Sequence, residues 1–188
     1  TPEWLWLSTG VRSLDHGIET LASLRSHPVA DGAAETAIRL LAEGLQACKA
    51  DPGDLDARLR CQMGAWQSML PLVGGVPMGA SHALSHAIGS THGVPHGYTS
   101  CVTLPAVLAW SAGHDGGRQP PISAALGRSA SPVAIALGAL LLALGVPTTL
   151  REVGGGEADF PELARKAMAN QWIATGPRPV SSPEDAME

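Results

Sequence analysis

Charged side chains are scarce in this sequence. Asp, Glu, Lys and Arg make up 15% of its 188 residues, against 45% apolar. That balance excludes a disordered chain, which needs the opposite proportions. Basic residues are the scarcer sign: 12 Lys and Arg face 17 Asp and Glu, for a formal net charge of −5. Without a basic patch, nucleic acid is excluded as a partner. The three cysteines, Cys48, Cys61 and Cys101, are odd in number and widely spaced, so they make neither a disulfide framework nor a zinc ribbon. We read them as core thiols of a reducing compartment. With no signal-peptide pattern in sight, the expected location is cytoplasmic, and an opening Thr1 in place of Met fits the removal of something upstream. The longest apolar run, Pro132 to Val146, falls short of the ~20 residues a membrane-spanning helix needs and contains Gly138 and Gly145. A membrane is therefore excluded, and this run is expected to be a helix buried on all sides. Period-2 alternation is missing as well, leaving Val146 to Val153 as one short edge strand at most.

Helical spacing fills the gap. Val11, Leu14, Ile18 and Leu21 form one stripe of a helix predicted from about Val11 to Leu24. Asp31-Gly32 caps a second, running to about Lys49 with Ala34, Ala37, Ile38, Leu41 and Leu45 inward. The turn Asp51-Pro-Gly-Asp54 leads into a third from Leu55 to Leu70, with Leu59, Met63 and Trp66 expected inward. Ser100 to Ala112, Ile122 to Leu126, Ala134 to Leu144 and Phe160 to Asn170 supply further helices, Pro105 kinking the first of them. The fold class is therefore all-α, a bundle of about seven to nine helices, with residues 1–188 forming a single helical domain.

Chemistry concentrates in one stretch. Four of the seven histidines, His82, His86, His92 and His96, fall within fifteen residues. His82 and His86 are four apart and share a helix face. Gly89 and Gly93 are expected to break that helix, and Pro95 fixes the backbone before His96. Imidazoles gathered this way suit either a divalent transition metal or proton transfer near neutral pH. His27, His92 and His114 read as ordinary polar or capping residues.

The string His82-x3-His86-x2-Gly89, followed by Gly93-Val-Pro95-His96-Gly97, resembles the metal-site segment of the iron-containing (group III) alcohol dehydrogenases, of which maleylacetate reductases are a branch. Tyr98 to Pro105, Ala143 to Leu150 and Gly176-Pro-Arg-Pro179 extend the likeness, which covers Trp4 to Pro179. The resemblance implies the C-terminal helical domain of that family, a fold shared with dehydroquinate synthase-like proteins. It makes His82 and His96 metal ligands and His86 a catalytic neighbour of the nicotinamide and the reacting oxygen. Arg12-Ser-Leu-Asp15-His16-Gly-Ile-Glu19 is similar to the family's Asp-x3-His-x2-Glu element. His16 then becomes a third ligand, also close to the chemistry, but Arg12 stands where the ligand Asp belongs.

A guanidinium cannot ligate a cation and repels one nearby. Two outcomes stay open: a three-histidine site for Fe²⁺ or Zn²⁺, or a metal-free site in which the histidines and a cation polarise a carbonyl. Arg12 itself could pair with Asp15 or Glu19, or bind an anion. The resemblance further implies NAD(P), a small alcohol or carbonyl substrate, and a nucleotide-binding half in cis or in trans; a homodimer is compatible with it. No phosphate-binding glycine turn of the required strand–turn–helix kind occurs here, Gly154-Gly-Gly156 reading as a linker. The function implied is hydride transfer between nicotinamide and an alcohol or carbonyl. The competing expectation is a stand-alone helical binding or oligomerisation module that lost catalysis along with its cofactor half.

Overall fold

The structure, a computed structural model, describes residues 1–188. It contains nine α-helices and no strand: α1 (Glu3–Ala22), α2 (Pro28–Ala50), α3 (Leu55–Val73), α4 (Ala80–His92), α5 (His96–Trp110), α6 (Gln119–Ala125), α7 (Val133–Leu144), α8 (Phe160–Met168) and α9 (Pro183–Met187). The all-α class stands. The stretch read as a possible edge strand holds a 3-10 turn at Arg151–Val153 instead, and no helix is long and apolar enough to cross a membrane.

Helix α1 is the axis. It packs against α2, α3, α5 and α6, and its predicted stripe, Val11, Leu14, Ile18 and Leu21, lies in the main core with Ile38, Leu41, Leu45, Leu104, Leu137 and Leu141. It starts eight residues earlier than periodicity indicated, at Glu3, because Trp4, Leu5 and Trp6 continue the helix as a partly exposed turn. The start of α2 also differs. His27, not Asp31, is its cap, accepting from Ala30 N at 3.3 Å, with Pro28 in the first turn. Asp31 is instead bonded by Ser26 and Arg118.

The face of α3 is reversed from expectation. Leu59, Met63 and Trp66 are exposed, and Ala57, Cys61, Gly64 and Ser68 face inward. The reason is backbone proximity between α2 and α3. A Cβ on Gly64 would sit 2.8 Å from Leu41 Cγ, and one on Gly44 2.8 Å from Cys61 Sγ. Only small side chains fit that seam, so the large ones turn outward. Cys48 and Cys61 meet there at 4.0 Å as free buried thiols.

Helix α7 is likewise not buried on all sides: Ile135 and Leu142 are exposed on its outer face. With no polar residue in the helix, the sequence offered no signal for which face would point out. Helix α4 runs through Gly89 and ends at Gly93, whose φ of +65° suits the left-handed cap. Pro105 lies inside a continuous α5. A second, smaller core joins α4, α8 and the C-terminal segment through Ala83, Ala87, Ile88, Leu163, Ala167 and Val180.

The two faces of this α2–α3 pair respond differently to truncation. Leu41→Ala, at a fully buried position, is expected to cost about 2–5 kcal/mol. Trp66→Gln on the outer face should change stability by roughly 0.5 kcal/mol or less. Urea unfolding of the two variants checks the reversal; equal losses would return Trp66 to the core.

Candidate active site

The glycine before the histidine helix explains much of the local geometry. Gly79 precedes α4 without any capping side chain of its own. The cap comes from α1: Glu19 Oε2 accepts from Gly79 N at 2.7 Å, and Oε1 accepts from Ser81 N at 2.7 Å. A buried carboxylate at a helix N-terminus satisfies orphan N–H groups and matches the positive end of the dipole. A Cβ at position 79 would lie 2.8 Å from Glu19 Oε1, so any larger residue would have to displace the clamping carboxylate.

Glu19 Oε2 also lies 2.7 Å from His82 Nδ1. Nδ1–H donates to the carboxylate, leaving the lone pair on Nε2, which is buried and has no partner. This is the arrangement in which a carboxylate fixes a histidine's tautomer and aim. The ring of His16 lies 4.8 Å from that of His82, centroid to centroid, and its Nδ1 is also buried without a partner.

Beneath these rings is a buried hydroxyl network. Asp15 is fully buried, and its Oδ2 accepts from Ser81 Oγ at 3.0 Å and Ser100 Oγ at 2.7 Å. Thr103 links the Ser81 and Ser85 hydroxyls, each at 3.0 Å. Arg12 joins from above: Nη1 donates to Ser100 Oγ at 2.9 Å and lies 3.6 Å from Asp15 Oδ2. The ion pair considered for Arg12 thus exists, with Asp15 as partner. Burial lowers the Arg12 pKa, against the opposing pull of Asp15 and then Glu19.

The outer layer is His86 and His96, stacked at 5.4 Å. Pro95 sets His96 at the first position of α5, and the next residue brings α5 onto α1: a Cβ on Gly97 would be 2.5 Å from the Ser8 carbonyl carbon. Trp172 walls the cluster, 5.9 Å from His86 and 6.1 Å from His82. Asn170 fixes the His86 tautomer. Its Oδ1 accepts from Trp172 N at 3.0 Å, so its amide N–H donates to His86 Nδ1 at 3.1 Å, and a neutral His86 carries its proton on Nε2. Burial first, then neighbouring His82, lowers His16 to about 4. Burial and then Arg12 lower His96 to about 4, although its outer edge meets solvent. His86 shifts down for the same two reasons in the same order. At pH 7 these three rings are neutral.

The predicted residues His16, His82, His86 and His96 therefore gather in one cluster, His82 buried and His86 and His96 outermost, with Arg12 beside them. His92 does not join them; its Nε2 points to Asp159 at 3.5 Å. His114 bonds only its own turn, at Ala112 O. Asn170 and Trp172 were not legible beforehand, since they reach the site from the end of α8, far along the chain. Ser100 and Ser81 carried no signal either, being ordinary helical serines in sequence.

Two donor sets bear comparison with the needs of a divalent ion. Asp15, Glu19 and His82 have ligand atoms within 4.8 Å of one another. In that trio, however, His82 Nδ1 is hydrogen-bonded directly to Glu19, and three of the four carboxylate oxygens already accept from N–H or O–H groups. An ion there would displace those bonds. His16 Nδ1 and His82 Nε2 are buried without a partner, which favours an ion, but the imidazoles of His16, His82 and His96 do not meet the same 4.8 Å closeness, and the charge of Arg12 acts on both His16 and His96. Neither set fits a tightly held ion.

Glu19→Ala is expected to destabilise the domain by about 3 kcal/mol, since it strands two buried N–H groups and His82 Nδ1. Glu19→Gln, which can still accept, should lose less. Chemical denaturation of both variants reads this; a neutral Glu19→Ala would remove Glu19 as the clamp.

Residues 6–185 match the family described as Fe-containing alcohol dehydrogenase, C-terminal. Among curated relatives, 1,3-propanediol dehydrogenase of Klebsiella pneumoniae is 30% identical, the match covering 94% of this chain and 48% of the relative. Maleylacetate reductase of Burkholderia cepacia is 31% identical, over 95% of this chain and 49% of the relative. A crystal structure of 1,3-propanediol oxidoreductase superposes with a TM-score of 0.93 at 27% identity, covering 100% of this chain and 51% of that one. The chain thus spans about half the length of the relatives it matches. Helical throughout and matched over residues 6–185, the chain belongs to the iron-containing alcohol dehydrogenase family and represents its C-terminal domain.

Proposed function

We propose that this chain is the substrate-side half of a nicotinamide-dependent oxidoreductase that interconverts an alcohol and a carbonyl. The observation that carries the reading is the open surface where His86 and His96 stack 5.4 Å apart beside His16 and Arg12, in a chain of this family. Hydride exchange at the substrate carbon is the chemistry that NAD(P) supplies when bound. No seat for its pyrophosphate is built from these residues: Gly154 to Gly156 lies between two 3-10 turns, with no strand before it. The cofactor site is assigned to a nucleotide-binding half, joined in cis or supplied in trans.

The roles on this side follow from tautomer and position. His86, with its proton on Nε2, donates a hydrogen bond to a carbonyl oxygen as it takes on negative charge, and the proton that completes the alcohol comes from solvent. His16, neutral at pH 7, stands beside the same oxygen as a second hydrogen-bonding group. His82 is held by Glu19 so that Nε2 faces the site. His16, His82 and His96 are the residues that would hold an ion, which would act there as a Lewis acid. Because they fit one poorly, the neutral imidazoles are given the work of orienting the oxygen.

The isolated chain should show no saturable NADH binding in the micromolar range by fluorescence titration. Joined to a nucleotide-binding half, it should support NAD(P)H-dependent carbonyl reduction, with His86→Gln lowering kcat by roughly a hundredfold or more. Tight NADH binding by these residues alone would overturn the division of labour, and full kcat in His86→Gln would remove His86 from the chemistry at the oxygen. A complete lack of activity in the joined protein would favour the stand-alone binding module.

Metal content is a separate test. Protein purified without added ions should carry substoichiometric metal. Arg12→Asp should bind Zn²⁺ tighter by tens to hundreds of fold, because a nearby cation is replaced by a carboxylate. Elemental analysis showing one firmly held metal per natural chain, unchanged in Arg12→Asp, would refute the metal-free reading.

A further inference from the structure

We propose that Arg178 and Trp110 are positioning residues of this site: they anchor the far end of the strap that holds His86 in its Nε2–H form. The proposal rests on the oxidoreductase reading above, in which His86 meets the substrate oxygen as a hydrogen-bond donor. The strap is the irregular run 170–180 between α8 and α9. Its first residues reach the histidines. Asn170 Nδ2–H donates to His86 Nδ1 at 3.1 Å, and the Trp172 ring lies 5.9 Å from that of His86. Its later residues lie on α5. Arg178 Nη1 donates to Trp110 O at 3.1 Å, Trp110 Nε1 donates to Arg178 O at 3.2 Å, and the guanidinium carbon stands 3.3 Å from the centre of the indole ring. Two reciprocal hydrogen bonds and a cation–π contact thus join one pair of residues. Trp110 is the last residue of α5, so Arg178 also brings a donor and a positive charge to a terminal carbonyl of that helix.

Between its two ends the strap is tied to the start of α4. Thr175 Oγ1 donates to Met78 O, and Ile173 is buried in the second core. Met78 directly precedes Gly79, where Glu19 clamps that helix. His96 opens α5 and Trp110 closes it, which puts the Arg178 anchor roughly 20 Å from the histidines along the helix. The bond that the anchor protects is weak by itself. His86 is exposed, and its Nδ1 has no other protein partner, so water competes for it unless Asn170 is held in place. A loosened Asn170 would let the proton move to Nδ1 and turn Nε2 into an acceptor, which repels a carbonyl oxygen instead of binding it. Asn170 is fixed from within the strap, its Oδ1 accepting from Trp172 N at 3.0 Å. Arg178 acts through those two residues.

The test reads the His86 tautomer in the ¹⁵N-labelled 188-residue chain at pH 7.5, by long-range ¹H–¹⁵N correlation of the imidazoles, with His86→Gln giving the assignment. The natural chain should show one bare nitrogen, Nδ1, and one protonated nitrogen, Nε2. In Arg178→Ala the two ¹⁵N signals should move toward each other, as they should in Asn170→Ala. The double variant should move them no further, because both changes release the same bond. Arg178→Lys keeps a cation and a donor at Trp110 and should retain most of the natural pattern. Circular dichroism checks that the helices persist. Trp110→Phe, which keeps the ring face and removes only the N–H given to Arg178 O, supplies a milder variant with a smaller shift of the same kind. In the joined protein, Arg178→Ala should lower kcat roughly tenfold with the KM for NAD(P)H unchanged. A His86 pattern that stays natural in Arg178→Ala and Trp110→Phe, or an additive double variant, would reduce the anchor to a structural staple and overturn the proposal. A natural pattern in Asn170→Ala would overturn it too. Absence of NAD(P)H turnover in the joined natural protein, while the tautomer follows the strap as expected, would fail the oxidoreductase reading alone.

Discussion

One carboxylate ties the molecule together. Glu19, carried on the central helix, neutralises the start of α4 and at the same time orients His82. Without it, two backbone N–H groups and an imidazole would be buried with nothing to accept from them, a cost that a marginally stable domain feels strongly. Because cap and histidine share the same acceptor, α4 cannot dock on α1 without aiming Nε2 of His82 away from Glu19, on the side of the ring where it is buried without a partner. Folding and site geometry are here a single event.

Close backbone approaches make that aim rigid. Gly79 lets α4 come down on Glu19, and Gly97 lets α5 meet α1 at Ser8. Each is a place where a Cβ would push a helix away and move a histidine with it. The same rule explains the seam of α2 and α3, where Gly44 and Gly64 admit the opposing helix and turn Trp66 and Met63 to solvent. Small residues decide the orientation, and the large apolar ones accept what space remains.

Arg12 and Asp15 form a charge-compensated pair at the floor of the site, joined through Ser100. The pairing accounts for a cation being tolerated at low exposure in a position where the family resemblance calls for an acid. It also changes the chemistry available on the surface above. Burial first, and the fixed cation beside them second, keep His16 and His96 neutral at pH 7, where they can serve as hydrogen-bonding groups. The electrostatic demand that an ion would meet is answered, in our reading, by a side chain of the protein.

The sequence by itself determined the all-α class, the stripe of α1, and the shared face of His82 and His86, because helical period and four-residue spacing are local properties of the chain; His16 and His96 were joined to them only by the family resemblance. Nothing local could decide the outward face of α7, since a helix apolar all round carries no polar face to mark its exposure, and the face of α3 was set by the close approach of α2 at Gly44 and Gly64. The same limit hid Asn170, Trp172 and Ser100, whose roles exist only where distant segments meet. Arg12 was legible as a departure from the family pattern, but its partner was not: Asp15 and Glu19 were equal candidates until the packing of α5 on α1 brought Ser100 between Arg12 and Asp15. Spacing along a helix fixes which side chains share a face; only the tertiary structure, by setting burial and the approach of other helices, decides what that face meets.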